Sequence, residues 1–545
     1  MLSGKWNWDI PEFFNIGAAC TQGFTVSDRP AIIVENDITG TSSISYGEIN
    51  HSTNLLASAL QSIGIGHKER VLIRLPNCIE YPVSFLSILK IGAVAVPTST
   101  LLTHEEIEYL ANDSGAKAII IPKAMWLELK PSINKCATLK HVILLDDGRP
   151  TTDELHDKKD SPVVQLHDIN TLLDNTQPLK ECYPTRANDP AYLVYTSGTT
   201  GYPKGVLHAH RALLGRTPSG KFWFDFHENS GLHEESDRIL HSGKFNWTYV
   251  LGTALMDPLY HGKTVVVYEG KNDASTWINL IAKHKCTIFI GVPTIYRQII
   301  QKTDFNLDNV PSLRHCMCAG EHLSDEVLSA WKSRFKQDIY EAIGMSECSY
   351  YISHNKSQAI RPGSAGLPQP GHDIALIDKD GKPVNTNEEG MIAIPLSDPG
   401  LFIEYWGLEK ETQHSRNESY FLTGDYARQD EEGYIWFLGR KDDIINSFGY
   451  RISPHEIERI LKTHPKIADA VAVEEAVGKD KSIVTACVIL HSPKEKIASE
   501  EELIQFCEEH LAQYKVPKKI AFMTAFPRTK NGKVLRKKIK QDLSN

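Results

Sequence analysis

The stretch Tyr195–Gly205, YTSGTTGYPKG, concentrates glycine, small hydroxyl residues and a lysine directly after the apolar run AYLVY. Glycine lets backbone N–H groups approach an anion, hydroxyls donate hydrogen bonds and lysine brings charge. Thr196, Ser197, Gly198, Thr199, Thr200, Gly201 and Lys204 therefore suit a polyphosphate. The spacing is not the G-x4-G-K-[ST] of the nucleoside-triphosphatase P-loop, and the composition also fits a flexible loop. Further along, Ile343-Gly344-Met345-Ser346-Glu347 ends in a hydroxyl and a carboxylate. Read alone, that pair is a helix cap or a solvated acid. The segment YFLTGD ends in Asp425, a carboxylate able to accept hydrogen bonds from two neighbouring hydroxyls. A Thr-Gly-Asp triplet by itself reads as a β-turn. Near the end, PRTKNGK places Lys533 in a basic tail, where an isolated lysine is a solvated charge.

In this order, these motifs resemble the adenylate-forming superfamily of acyl- and aryl-CoA synthetases, luciferases and peptide-synthetase adenylation domains, over nearly the whole chain. The segment Ser242–Pro258, SGKFNWTYVLGTALMDP, is most similar to benzoate-type and medium-chain acyl-CoA ligases. The resemblance implies that Glu347 helps bind Mg²⁺ beside the ATP phosphates and that Ser346 contacts phosphate. Gly320 and Glu321 of Ala319-Gly-Glu321 resemble the loop on one face of the adenine. Ile343 stands where many members carry an aromatic residue and Ser346 where most carry threonine, so aliphatic packing by Ile343 replaces ring stacking.

GRKDDIINSFGYR (439–451) also resembles a family motif, which implies that Arg440 joins Asp425 at the ribose, that Asp442 is the hinge and that Arg451 contacts phosphate. Gly449 and Tyr450 lie on the face that meets coenzyme A; as an alternative, Gly449 is an ordinary turn glycine and Asp442 part of an ordinary linker. Lys533 matches the family's catalytic lysine, with Glu347 and Lys204 as its catalytic companions. Trp247, Thr248, Tyr249 and Gly252 are expected to line an acyl pocket, or else belong to a core helix. Nothing in the sequence separates a site role from a structural one for His208, His210 and His241.

The implied chemistry is an AMP-forming acid:CoA ligation. A carboxylate attacks ATP to give an acyl-adenylate and pyrophosphate. The thiol of coenzyme A then displaces AMP after the C-terminal part rotates about Asp442. The substrate is expected to be an apolar medium-chain or ring-containing acid. Alternatives are delivery to a carrier-protein thiol, a luciferase-like oxygenase and a non-catalytic nucleotide binder. The pattern Pro527-x4-Gly532-Lys533 also resembles that recognised by lysine acyltransferases, whose action on Lys533 would remove its charge.

The elements that must position these residues alternate strand and helix, which predicts α/β layering. GAVAVP (Gly92–Pro97), a Thr103–Glu106 capping box, Gly115, KAIII and VILLDD outline the first unit. Residues 148–190 read as a long polar surface excursion. A second α/β region runs from about Tyr192 to Ile352, and a smaller β-rich unit from Gly363 to Phe437. A large domain of residues 1–441 and a small mobile α+β domain of 442–545 are expected. Ser453-Pro-His-Glu456 is expected to form a capping box opening the first helix of that domain.

At 545 residues with 41% hydrophobic composition, the chain can bury several cores. Its net charge of −9 argues against a nucleic-acid binder. The ten cysteines contain no CxxC pair, and Cys316-Met-Cys318 reads as a buried strand. No secretory leader or membrane-spanning run is expected, so a cytoplasmic monomer or homodimer acting on small molecules is the natural setting.

Overall fold

The computed structural model describes residues 6–24, 27–146, 164–174, 176–196, 203–227, 236–320, 323–440, 443–447, 450–478, 481–491, 498–528 and 534–544. Local chemistry sets many of its boundaries. The Thr103 hydroxyl accepts from the Glu106 N–H while Glu106 Oε2 accepts from the Thr103 N–H, starting helix His104–Ser114. Gly115 ends that helix at φ +58°, where glycine avoids the Cβ clash of other residues.

The fold is α/β, as the strand–helix alternation predicts. One sheet has a parallel centre, with Arg70–Ile73 flanked by Val94–Pro97 and Ala118–Pro122, followed outward by His141–Leu145. The expected excursion after Val142–Asp147 is partly structured. Gln165–Asp168 adds a further parallel strand against His141–Leu145, and helix Ile169–Asp174 follows it. As an edge strand it leaves its polar side chains partly exposed, so it lacks the apolar run of its neighbours. Pro190–Thr196 and the antiparallel Lys204–Ala209 extend the other side of this sheet.

In the second large sheet, Thr264–Glu269, Arg238–His241, Ile288–Gly291, His315–Ala319 and Ile339–Ile343 lie side by side and parallel. Cys316 and Cys318 are buried in a strand, as expected. Pro30–Asn36, far away in sequence, also joins this sheet against Thr264–Glu269. From Arg238–His241 the chain passes to Thr264–Glu269 on one side, then resumes on the other side at Ile288–Gly291. Connections diverge there, and α/β sheets characteristically bind ligands beyond the carboxyl ends of strands at such a switch.

A smaller antiparallel sheet contains Ala375–Ile377, Glu389–Pro395, Tyr420–Gln429 and Ile435–Arg440. The C-terminal sheet of Ile467–Gly478, Lys481–Leu490 and Lys519–Phe522 packs with helices Pro454–Lys462 and Glu500–His510. The expected Ser453–Glu456 capping box does not form: the Ser453 hydroxyl donates to the Leu438 carbonyl, and Glu456 pairs with Lys515. Pro454 still starts that helix. Among the described residues, no helix is long and apolar enough to cross a membrane.

Candidate active site

Thr196 and Lys204 are direct partners across the antiparallel pair Pro190–Thr196 and Lys204–Ala209, so they bracket the glycine-hydroxyl loop at its two feet. Ser197, Gly198, Thr199, Thr200 and Gly201 lie outside the described residues. The Lys204 ammonium sits 5.7 Å from the ring centre of Tyr405, a cation–π distance. Tyr405 belongs to the short strand Glu404–Tyr405, which pairs with Leu207 and Val206. Its hydroxyl donates to Glu347 Oε1 at 2.7 Å. Burial, together with the Glu347 carboxylate, pushes the Tyr405 hydroxyl far above its ordinary range, keeping it a donor.

The segment carrying Glu347 is held by its backbone. The Met345 N–H donates to the Cys348 carbonyl at 2.9 Å, and the Phe402 N–H to the Glu347 carbonyl at 2.8 Å. His208 Nε2 lies 2.7 Å from the Ser346 carbonyl. Burial lowers His208 to about 3, so the ring is neutral near pH 7 and its Nε2–H is the donor. Its face stacks on Tyr192 at 4.7 Å. His210 instead accepts from the Ile16 N–H at 3.1 Å, which makes it a structural partner of the N-terminal segment. Among the described residues, only Tyr405 hydrogen-bonds to the Glu347 carboxylate. The other oxygen is thus available, and a lone carboxylate suits a hard cation such as Mg²⁺ that takes its remaining ligands from phosphate and water.

Asp425 and Arg440 face each other across Tyr420–Gln429 and Ile435–Arg440, with Arg440 Nε 3.6 Å from Asp425 Oδ1. The Thr-Gly-Asp triplet is part of a strand and not a turn. The Thr423 hydroxyl accepts from the Asp425 N–H at 3.1 Å and donates to the Ile392 carbonyl at 2.7 Å, fixing the carboxylate's base. The fully buried Tyr351 hydroxyl lies within the electrostatic reach of both clusters. Burial raises its hydroxyl, the Asp425 and Glu347 carboxylates add to this, and Arg440 opposes them.

Gly320 and Ile343-Gly344-Met345 follow adjacent parallel strands. Gly320 has φ +95°, and space is open where a Cβ would lie. A Cβ on Gly344 would fall 2.1 Å from the Tyr350 nitrogen, so this crossing requires glycine. Ile343 and Met345 are partly buried against the core. Glu341, on the same strand as Ile343, is pushed up to about 8 by burial. Tyr450 and Arg451 lie on strand Tyr450–Ile452, paired with Ile445–Ser447. Glu321, Asp442, Gly449 and Lys533 lie outside the described residues.

The expected acyl segment is helical and becomes a π-helix over Leu251–Met256, a form frequent at functional sites. Trp247 precedes it, 37% exposed, and Thr248 begins its first turn. His241, neutral because burial lowers it to about 3, accepts from the Gly243 N–H at 2.9 Å. Its Nε2 bonds the Thr253 hydroxyl at 2.9 Å, which in turn donates to the Tyr249 carbonyl at 2.7 Å. This histidine therefore ties strand end to helix. Gly252 rests on Tyr350: a Cβ there would meet Tyr350 Oη at 2.5 Å. The Tyr350 hydroxyl donates to Asp257, whose carboxylate accepts from Arg216 Nε at 2.9 Å. All three side chains are buried.

The family model for the AMP-binding enzyme matches residues 22–406, and that for the AMP-binding enzyme C-terminal domain matches residues 456–533. The chain belongs to the AMP-binding enzyme family. It is 30% identical over 536 residues to the uncharacterized acyl–CoA ligase YtcI of Bacillus subtilis (strain 168), covering 97% of this chain and 96% of that one. It is 28% identical to human acyl-coenzyme A synthetase ACSM3, mitochondrial, over 98% of this chain and 90% of that protein. The crystal structure of the anthranilate CoA ligase AuaEII in complex with anthranoyl-AMP superposes with a TM-score of 0.84 at 28% identity, covering 98% of each chain. The chain is an acid–thiol ligase of the AMP-forming acyl-CoA synthetase type.

In this ligase the expected residues form a polar cluster of Lys204 and Glu347, a second of Asp425 and Arg440, and an aromatic group around Tyr249 and Gly252. Tyr405, Tyr351, Tyr350 and Arg216 were not singled out from the sequence. Tyr405 stands beside Trp406 in an unremarkable turn-rich stretch, and only its pairing with Val206 brings it to Glu347.

Proposed function

We propose that this ligase activates an apolar medium-chain or ring-containing carboxylic acid as its adenylate and passes the acyl group to coenzyme A. The observation that carries the reading is the meeting of Lys204, Tyr405 and Glu347 beside the Asp425–Arg440 pair. Asp425, steadied by Arg440, accepts hydrogen bonds from the ribose hydroxyls. Gly320, Ile343, Gly344 and Met345 border the adenine. Thr196 to Lys204 and Ser346 contact the phosphates. Mg²⁺, held by Glu347, would offset their charge.

In the first step a carboxylate oxygen bonds to the α-phosphorus and the bond to pyrophosphate breaks. Lys533 stabilises the charge that develops there by position and not as a nucleophile. Residues 442–545 then turn as a small domain about Asp442, replacing Lys533 with the face of Gly449, Tyr450 and Arg451. The thiol sulfur bonds to the acyl carbon, and AMP leaves with the electron pair.

The test is AMP release from a panel of aliphatic and aromatic acids, with and without CoA, by the wild type and Lys533→Ala. CoA-dependent turnover by the wild type supports the reading. Lys533→Ala is expected to slow adenylation about 10²- to 10³-fold while still converting supplied acyl-AMP. Equal loss of both half-reactions refutes the rotation. Acyl-AMP that accumulates whatever the CoA concentration points to a carrier protein as acceptor.

A further inference from the structure

The residues proposed to act on the phosphates and the metal stand on two separate pieces of chain. Lys204 opens the strand Lys204–Ala209, whereas Ser346 and Glu347 follow Ile339–Ile343 in a stretch that is neither helix nor strand. Such a stretch takes its shape from tertiary bonds, because no regular backbone ladder dictates it. His208 supplies one of them. Among the described residues its Nε2–H is the only donor to the Ser346 carbonyl, at 2.7 Å and across 138 positions of sequence.

The imidazole is committed to this one bond. Tyr192 is its direct partner across the antiparallel pair, and the two rings stack at 4.7 Å with 13° between their planes. The side chain is buried, and its Nδ1 has no partner among the described residues, so Ser346 is the ring's one polar engagement there. Packed on Tyr192 and kept neutral by burial, the ring offers the same donor in the same place. His208 also shares a strand face with Lys204, since residues four apart point to the same side, roughly 13 Å along the strand. One strand thereby sets both the lysine and, through His208, the backbone beside Glu347.

We infer that His208 is a positioning residue for adenylation, holding the Ser346 hydroxyl and the Glu347 carboxylate in register with Lys204 around the phosphates and the metal. The inference rests on the nucleotide roles proposed above for those three residues and adds a residue that acts through them. A histidine that merely filled the core would serve both half-reactions alike. One that sets the phosphate and metal ligands serves the first, in which ATP reacts.

The experiment measures the two half-reactions separately in the wild type, His208→Leu, His208→Gln and His208→Asn. They are acyl-AMP formation from ATP and an acid that the wild type uses, and acyl-CoA formation from supplied acyl-AMP. Glutamine reaches about as far as the histidine Nε2 and can donate there, whereas asparagine carries the same amide but ends near the position of Nδ1. His208→Leu and His208→Asn are expected to slow acyl-AMP formation about 10-fold relative to acyl-CoA formation, and His208→Gln to bring that ratio back within about threefold of the wild type. The ratio is taken within one preparation, so it does not depend on how much of a variant folds. A ratio in His208→Leu equal to that of the wild type, whether both half-reactions slow together or neither slows, overturns the inference. So does equal behaviour of His208→Gln and His208→Asn, a comparison that stays decisive if His208→Leu does not fold. In both cases acyl-AMP formation by the wild type leaves the proposed function standing, whereas no acyl-AMP from any acid removes that reading and the inference together.

Discussion

At the proposed nucleotide end, Lys204, Glu347 and Tyr405 are partly exposed and the Arg440 side chain is 51% exposed, while Asp425 is buried beside it. At the proposed acyl end, Arg216, Asp257 and Tyr350 form a hydrogen-bonded chain inside the protein, with Arg216 and Asp257 side chains 2% and 3% exposed. Apart from Asp425, the charges proposed to meet a changing, highly charged ligand are left where water can still reach them. Charges that shape an apolar wall are sealed and satisfied by one another. The consequence for mutation is asymmetric. Damage at the acyl end should appear first as lost stability, and damage at the nucleotide end as lost rate.

The largest expected effect tests that asymmetry directly. Arg216→Met leaves the Asp257 carboxylate buried with, among the described residues, only the Tyr350 hydroxyl to answer it. Removing one partner of a buried pair costs about 3–5 kcal/mol, to be read from denaturant-induced unfolding. A loss below about 1 kcal/mol, the range of exposed ion pairs, would erase the distinction between the two ends.

Gly252→Ala sharpens it. The added methyl would fall 2.5 Å from a Tyr350 oxygen that Asp257 holds in place. Overpacking of this kind costs about 1–3 kcal/mol. Since Gly252 lies on the proposed acyl wall, the KM for the acid should rise while the KM for ATP holds. Equal change in both would mean that the two ends are mechanically coupled.

The same division explains what the sequence revealed. The motifs proposed for the nucleotide are short runs that each also read as a loop or turn, and their order along the chain carries the resemblance: glycines with hydroxyls and a lysine at 195–205, then an acid closing YFLTGD. The strand–helix alternation of the large sheets and the helices of the C-terminal part were legible because apolar periodicity is local. Tyr405 was hidden, since it reaches a carboxylate 58 positions away only through strand register. The Tyr350–Asp257 link spans 93 positions, and no local pattern encodes it. The Ser453 cap failed for a related reason: its hydroxyl is turned to donate to the Leu438 carbonyl, brought near by tertiary packing, and makes no bond to the helix's own N–H groups. His241 was undecidable from sequence because its role depends on a π-helical turn that places Thr253 against it.

The smallest expected effect lies at the nucleotide end. Tyr405→Phe keeps the ring that faces the Lys204 ammonium and removes only the hydroxyl that donates to Glu347. A hydrogen bond to a charged group can be worth more than 1.5 kcal/mol, but this pair is partly exposed, so about 1 kcal/mol is the appropriate scale. Stability should change by less than that, because water can replace the lost donor at the carboxylate. The rate of adenylation should fall about fivefold, which is that free energy expressed as a rate ratio. The Mg²⁺ concentration for half-maximal rate should rise with it, since a freed carboxylate samples more orientations and is less prepared for a cation. An unchanged Mg²⁺ dependence with a slower rate would assign Tyr405 to the phosphates and not to Glu347. A stability loss as large as that of Arg216→Met would show that the polar end is as tightly built as the apolar one.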